Sequence, residues 1–407
     1  MPTPLSSSLM PVSNNIHIKP NDCLGNVAIY VHWPFCLKKC PYCDFNSHVR
    51  DTIDHDIWLK CYLDELNWFK ARFPNVSAGS IFLGGGTPSL MPAATVGAII
   101  EHIDRLWPHD DPIEITLEAN PSSVEAGRFK DYRSAGVNRV SLGIQSLKDS
   151  DLQFLGRLHS AKEALDALSI AKNTFDRVSF DLIYALPKQS LDMWQKELEQ
   201  ALTFAGDHLS LYQLTIEEGT AFHHQFHRGK FTLPDEELAA AMYALTQEIT
   251  ASAGLPAYEV SNHARPGSMS RHNLYYWQSL PFFGIGPGAH GRLPGSEAHT
   301  AIAHAQVKRP ETWIKSVGAT GSGMESFEDI SAHERAIEAL MMGLRLNAGI
   351  NRDQFKQTIG RDVTHYLNIE RLDDLQRDGF IALDDKKLRL TQKGMPVLNT
   401  LIAQLVV

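Results

Sequence analysis

The sequence has no long apolar run. Nothing in its 407 residues reaches the ~18 consecutive apolar residues that a membrane-spanning helix needs. Excess positive charge is missing too: 38 Lys plus Arg face 47 Asp plus Glu, a net charge of −9. Binding to nucleic acid through a broad basic face is therefore excluded, and no nucleic-acid partner is expected. The opening MPTPLSSSLMPVSNNIHIKPND lacks the basic start and apolar block of a signal peptide. It reads as a disordered tail over residues 1–25 of a cytoplasmic protein, with transient membrane association left open. Cysteine is scarce, and all five (Cys23, Cys36, Cys40, Cys43 and Cys61) fall in the first 61 residues. An odd, clustered set in such a long chain is not a disulfide framework, and points to metal or redox chemistry. No internal repeat is visible, and no low-complexity segment beyond the tail.

What remains is ordinary globular composition, 43% hydrophobic and 21% charged, enough for two or three domains. From residue 27 short apolar runs alternate with amphipathic stretches. Strands are expected at 27–32, 80–83, 114–118, 139–145, 177–184 and 208–216. Between them, 52–73 places Leu59, Tyr62, Leu63, Leu66 and Phe69 on one helical face, and 94–107 does the same with Ile99, Ile100, Ile103 and Leu106. Six strand–helix units in series predict an α/β fold, a parallel sheet curling into a partial (β/α)6 barrel over 26–225. In such a barrel the chemistry sits at the carboxyl ends of the strands. An extension over 226–325 follows, with a helix at 231–253 and a loop-rich stretch at 256–299. Residues 326–407 read as a smaller, α-rich, winged-helix-like domain for structure or docking, with short strands at 380–383 and 388–390.

The sharpest signal is AIYVHWPFCLKKCPYCDFNSH, residues 28–48, in which Cys36, Cys40 and Cys43 follow directly on the first strand. Three thiolates on one loop can hold three irons of a 4Fe-4S cube and leave the fourth open for a ligand. A zinc site with His32 or His48 as fourth ligand stays open as an alternative. Attachment of c-type haem is excluded, because Asp44 rather than His follows Cys43. Cys61 sits four residues after Ile57 on a helix and is expected in the core; Cys23 is an inert residue of the tail.

With Gly84-Gly85-Gly86-Thr87-Pro88 after the second strand, this spacing resembles the radical S-adenosylmethionine (SAM) proteins. Within them it is similar to the oxygen-independent coproporphyrinogen III oxidases and their HemW-like relatives, the haem chaperones. The resemblance implies a 4Fe-4S cluster on Cys36, Cys40 and Cys43, with its open iron chelated by SAM, whose cleavage yields a 5′-deoxyadenosyl radical. It implies that Tyr30, Gly85, Gly86 and Thr87 line the methionyl end, where bare glycine backbone admits the ligand. Glu118, in LEANP, would face the amino or ribose side, and Gln145 and Asp181 the ribose. Arg157 would pair with the carboxylate. Tyr42 matches the aromatic that in the oxidases contacts a second SAM. Polar groups at strand ends read as functional, although Glu118, Gln145 and Asp181 also admit a structural hydrogen-bonding reading, and Arg157 a surface ion pair.

Two departures separate oxidase from chaperone by that resemblance. The oxidases carry a further cysteine two residues after the triad, where Phe45 stands here, and a longer N-terminal segment. The run Arg271-His272-Asn273-Leu274-Tyr275-Tyr276-Trp277 instead fits the His-Asn-x-x-Tyr haem motif of the HemW-like group. It implies a haem site using His272 and Tyr276, walled by Tyr275, Trp277, Phe282 and Phe283. The expected function is a haem chaperone that passes haem to an acceptor protein, respiratory haem proteins being one class, as a monomer or homodimer. The alternative is oxidative decarboxylation of coproporphyrinogen III; a radical-SAM enzyme on another substrate is the third reading. Phe222-His223-His224-Gln225-Phe226-His227 is metal-like by composition but is read as a solvated loop. GIGPGAHG, 284–291, is too loose for a phosphate site without a following helix.

Overall fold

The computed structural model describes residues 25–109 and 112–406. The expected tail, apart from Gly25, and Cys23 lie outside the described residues. All six expected strands form: β1 (Asn26–Trp33), β2 (Ser77–Gly85), β3 (Glu114–Ala119), β4 (Arg139–Gln145), β5 (Arg177–Tyr184) and β6 (His208–Gln213). They lie side by side in chain order, and every neighbouring pair is parallel.

Side chains alternate along each strand. In β1, Val27, Ile29 and Val31 are buried in the main hydrophobic core, outside the curved sheet and under its helices. Tyr30 and His32 take the opposite face, where Tyr30 stacks on Phe82 of β2 at 6.2 Å. Helix His55–Arg72 covers the outer face with Tyr62, Leu66 and Phe69, and helix Ala93–Leu106 with Ile99, Ile100 and Ile103. Cys61 is buried in the same core. Asp54 starts the first helix, its carboxylate accepting from Ile57 N at 3.1 Å.

The stretch 256–299 holds more regular structure than its glycines and prolines suggest. It contains β7 (Asn262–Ala264), a helix Arg271–Trp277, β8 (Phe282–Ile285) and β9 (His290–Pro294). β8 adds a seventh parallel strand beside β1, and β7 an antiparallel edge beside β6. β9, β10 (Ala301–Gln306) and β11 (Met324–Ile330) continue antiparallel from β8, so one sheet has eleven strands. These runs are too short to show a period; their partners, not their own sequence, make them strands. The expected boundary between residues 325 and 326 falls inside β11, which is part of the large sheet. The helix expected at 231–253 spans Glu236–Ser252.

Helices Ala332–Gly343, Arg352–Ile359, Ile369–Arg377 and Leu398–Leu405 surround a separate apolar cluster with a three-stranded sheet. Its hairpin pairs Ile381 with Leu390, close to where the short apolar runs lie in the sequence. The whole is a partial TIM-type barrel with an α-rich C-terminal unit. Among the described residues no helix is long and apolar enough to cross a membrane.

Candidate functional site

The cysteine loop leaves β1 at Trp33 and is clamped at its base, where Phe35 and Cys36 pair with His48 and Val49. Asn46 fastens its far side, donating to the carbonyls of Pro287 and Lys308, both at 2.8 Å. The three thiols are partly exposed, and each meets at least one polar group. Thr87 Oγ1 donates to Cys36 Sγ at 3.4 Å, Arg157 Nη1 to Cys40 Sγ at 3.4 Å, and Ser47 Oγ lies 3.9 Å from Cys43 Sγ. Burial pushes the Cys36 and Cys43 thiols up. Iron would remove that cost by deprotonating them, and the surrounding donors suit sulfur ligands of a cluster.

Among the described residues no group of three or more Cys, His, Asp or Glu side chains stands gathered around one point. Both zinc candidates are also engaged: His32 bonds Tyr30 Oη at 3.0 Å and the Asn46 carbonyl at 2.9 Å, and His48 bonds Asn46 Oδ1 at 3.1 Å. The zinc alternative therefore gains no support, whereas a cube takes each thiolate on its own iron.

Gly85 and Gly86 lie where β2 meets the start of the loop: Gly86 N donates to Trp33 O at 2.6 Å and Thr87 N to Phe35 O at 2.8 Å. A Cβ on Gly85, at φ +110°, would sit 2.6 Å from the His32 ring, and one on Gly86 2.6 Å from the Phe35 carbonyl. The fold itself requires both glycines, apart from any need to admit a ligand.

The inner face of the barrel is polar. Glu118 accepts from Gly85 N at 3.2 Å, which ties it to the glycine turn. Burial, and then the facing Asp181, push its carboxyl up to about 8. Asp181, held by Ser141 at 3.3 Å, is raised to about 6 by burial. Two largely desolvated carboxyls that repel one another, with Arg139 as the nearby cation, favour a positively charged guest such as the sulfonium and ammonium of SAM.

Gln145 closes β4 in a left-handed conformation, φ +76°, and its Oε1 is buried without a hydrogen-bond partner. Arg157 donates to the Asn120 carboxamide at 2.5 Å and the Gly143 carbonyl at 2.8 Å, while its Nε has no partner. These unsatisfied groups leave an acceptor and a donor for a ligand. Tyr42, behind Cys40, packs on Phe222 at 6.3 Å. Sequence reasoning missed Asn120, which bridges Arg157 and Thr87, donating to Thr87 Oγ1 at 3.3 Å. Its only signal was its place two residues beyond Glu118.

The His-Asn-x-x-Tyr segment is a helix on the inner side of the sheet, not a loop. Ser270 caps it, and His272 N donates to Glu114 Oε1 at 3.3 Å. The structure places the expected haem residue His272 inside the barrel. His272 is 1% exposed, its Nδ1 bonded to Ser80 Oγ at 2.9 Å and its Nε2 to Tyr276 Oη at 2.7 Å. Its ring stacks on Phe82 at 4.9 Å, and burial lowers it to about 3, a neutral imidazole with neither nitrogen free. Of the expected apolar walls, Phe283 lies instead in the outer core, stacked on Phe69 at 4.4 Å, and Tyr275 lies over Gly79. Phe282 packs edge-on against Tyr276 at 4.5 Å.

Beside this helix a cavity of about 440 Å³ opens between the barrel and the C-terminal unit. Tyr212, Asn273, Tyr276 and Trp277 line it from the barrel, with Glu259 and, from the C-terminal unit, Arg345. The Trp277 indole N–H is buried without a partner.

Comparison with known proteins agrees with this architecture. Residues 30–201 match the Radical SAM superfamily and 330–397 the HemN C-terminal domain. The chain is 40% identical to radical S-adenosyl methionine domain-containing protein 1, mitochondrial, of Bos taurus, over 93% of this chain and 87% of that one. It is 34% identical to heme chaperone HemW of Escherichia coli, over 93% of this chain and 98% of that one. Coproporphyrinogen III oxidase (HemN) of Escherichia coli shares the fold with a TM-score of 0.78 at 19% identity, over 94% and 91% of the two chains. The chain belongs to the HemW-like family of the radical SAM superfamily.

Proposed function

We propose that this protein is a haem chaperone, binding haem beside a cluster-and-SAM site and passing it to an acceptor protein. The observation that carries the reading is the cavity of about 440 Å³ flanked by the His-Asn-x-x-Tyr helix. It joins aromatic walls, Tyr276 and Trp277, to one cation, Arg345. A flat apolar ligand with carboxylates at its edge suits that combination. Two relatives sharing about a third of their residues with this chain are named heme chaperones, which supports the same reading.

In this reading Cys36, Cys40 and Cys43 hold a 4Fe-4S cluster, which supplies an open iron and a reducible centre. Glu118 and Asp181 hold the cationic part of SAM, and Gln145 and Arg157 its polar groups. His272 keeps the Tyr276 hydroxyl in place, and Arg345 receives a haem carboxylate. Haem is then cargo, entering beside Trp277 and leaving to the acceptor.

A haemin titration of the cluster-loaded protein with SAM, followed by gel filtration, tests this. One haem per chain is expected to stay with the protein, and Arg345→Ala to weaken it roughly tenfold through loss of one charge-assisted contact. No saturable binding, or catalytic loss of coproporphyrinogen III with SAM and reductant, would overturn the chaperone reading; the second result would establish the oxidase instead.

A further inference from the structure

The tract 222–227 is not a solvated loop. It forms the helix Ala221–His227, capped by Thr220, whose hydroxyl accepts from His223 N at 3.1 Å. Phe222 docks the helix against the cysteine loop: its backbone N donates to Pro41 O at 2.8 Å, and its ring meets Tyr42 and Phe154. A four-residue spacing puts His223 and His227 on one face. Their rings lie 4.3 Å apart between centroids, and their Nε2 atoms are 3.1 Å apart. His227 is exposed and His223 partly so.

We propose that His223 and His227 form a two-imidazole chelate for a divalent transition-metal ion, on the helix that backs the cysteine loop. At metal–nitrogen distances of about 2.0–2.1 Å, two imidazoles on a tetrahedral ion stand roughly 3.3 Å apart, and two neighbouring ones on a square-planar ion roughly 2.9 Å. The observed 3.1 Å lies between these values, so the two Nε2 atoms already stand at a chelating separation, and the proton on one of them moves to its own Nδ1 as the ion binds. Both nitrogens present themselves from a helix already fixed by Phe222. No third Cys, His, Asp or Glu joins them among the described residues, so water or an outside ligand completes the coordination. Imidazole donors select nickel, copper or zinc over magnesium or calcium. His224, next in sequence, lies off this face, its ring edge-on to His223 at 5.8 Å.

The test is calorimetric titration of Ni(II) into anaerobic, cluster-loaded protein, whose thiols are then occupied. One site is expected in the wild type, equal binding in His224→Ala, and at least a roughly tenfold loss in His227→Ala and in His223→Ala. Far-ultraviolet circular dichroism of each variant checks that the fold is kept. Unchanged binding in His227→Ala, or an equal loss in His224→Ala, would overturn the proposal. Haem binding plays no part in either result, so this test stands apart from the chaperone reading.

Discussion

Replacing His272 by Ala is expected to weaken the fold itself, before any effect on a ligand. The imidazole is 1% exposed and satisfies two hydroxyls, Ser80 Oγ and Tyr276 Oη. Leaving each without a partner costs about 1–3 kcal/mol. Removing a ring stacked on Phe82 at 4.9 Å leaves a void worth about 2–3 kcal/mol more. The sum, about 4–9 kcal/mol, is a large part of the ~5–15 kcal/mol that holds a typical domain together. His272→Gln retains one donor and one acceptor and is expected to cost about 1–2 kcal/mol. Urea unfolding followed by tryptophan fluorescence, under identical anaerobic conditions for the three proteins, measures the difference through the midpoint. Equal midpoints for His272→Ala and the wild type would refute the reasoning, because a buried imidazole bridging two hydroxyls cannot be removed freely. If the midpoint falls as expected, loss of haem by His272→Ala alone does not identify an iron ligand, and the Gln variant is the one to titrate.

Glu65 makes a second structural prediction. Fully buried on helix His55–Arg72, it accepts from Gly286 N at 2.9 Å, Gly323 N at 2.7 Å and Trp313 Nε1 at 3.2 Å. Glu65→Ala strands three donors, about 3–9 kcal/mol, while Glu65→Gln loses one acceptor, about 1–3 kcal/mol; equal unfolding midpoints for the two variants would contradict this. Glu118 sets a pH dependence. Its carboxyl keeps its proton in the fold up to about 8, while an unfolded chain releases it near the ordinary value of 4.5. Between those values the unfolded chain binds fewer protons, so this residue lowers stability as pH rises, by about 1.4 kcal/mol per pH unit. Glu118→Gln is expected to be more stable than the wild type at pH 8, with a gap that shrinks as pH falls to 5. A gap independent of pH, by thermal unfolding without SAM, would contradict the assignment.

Much was legible in the sequence because it is written in short-range patterns. Short runs of about four to nine residues rich in apolar side chains marked all six barrel strands, and the spacing of Cys36, Cys40 and Cys43 marked the cysteine loop. Each such signal lies within one element, where backbone geometry alone decides which side chains share a face. Only the tertiary structure decided what meets across elements. Register between strands brings Glu118 to face Asp181 and hangs Asn120 between Thr87 and Arg157. It made strands of 262–264, 282–285 and 290–294, each too short to carry a period of its own. His272 is the clearest case. Its motif was plain in one dimension, but Ser80 and Glu114, which draw the ring and its backbone inward, stand 192 and 158 residues away in the chain. Local sequence sets dihedral preferences and faces, whereas burial of a particular ring depends on contacts that exist only once the sheet has closed around it.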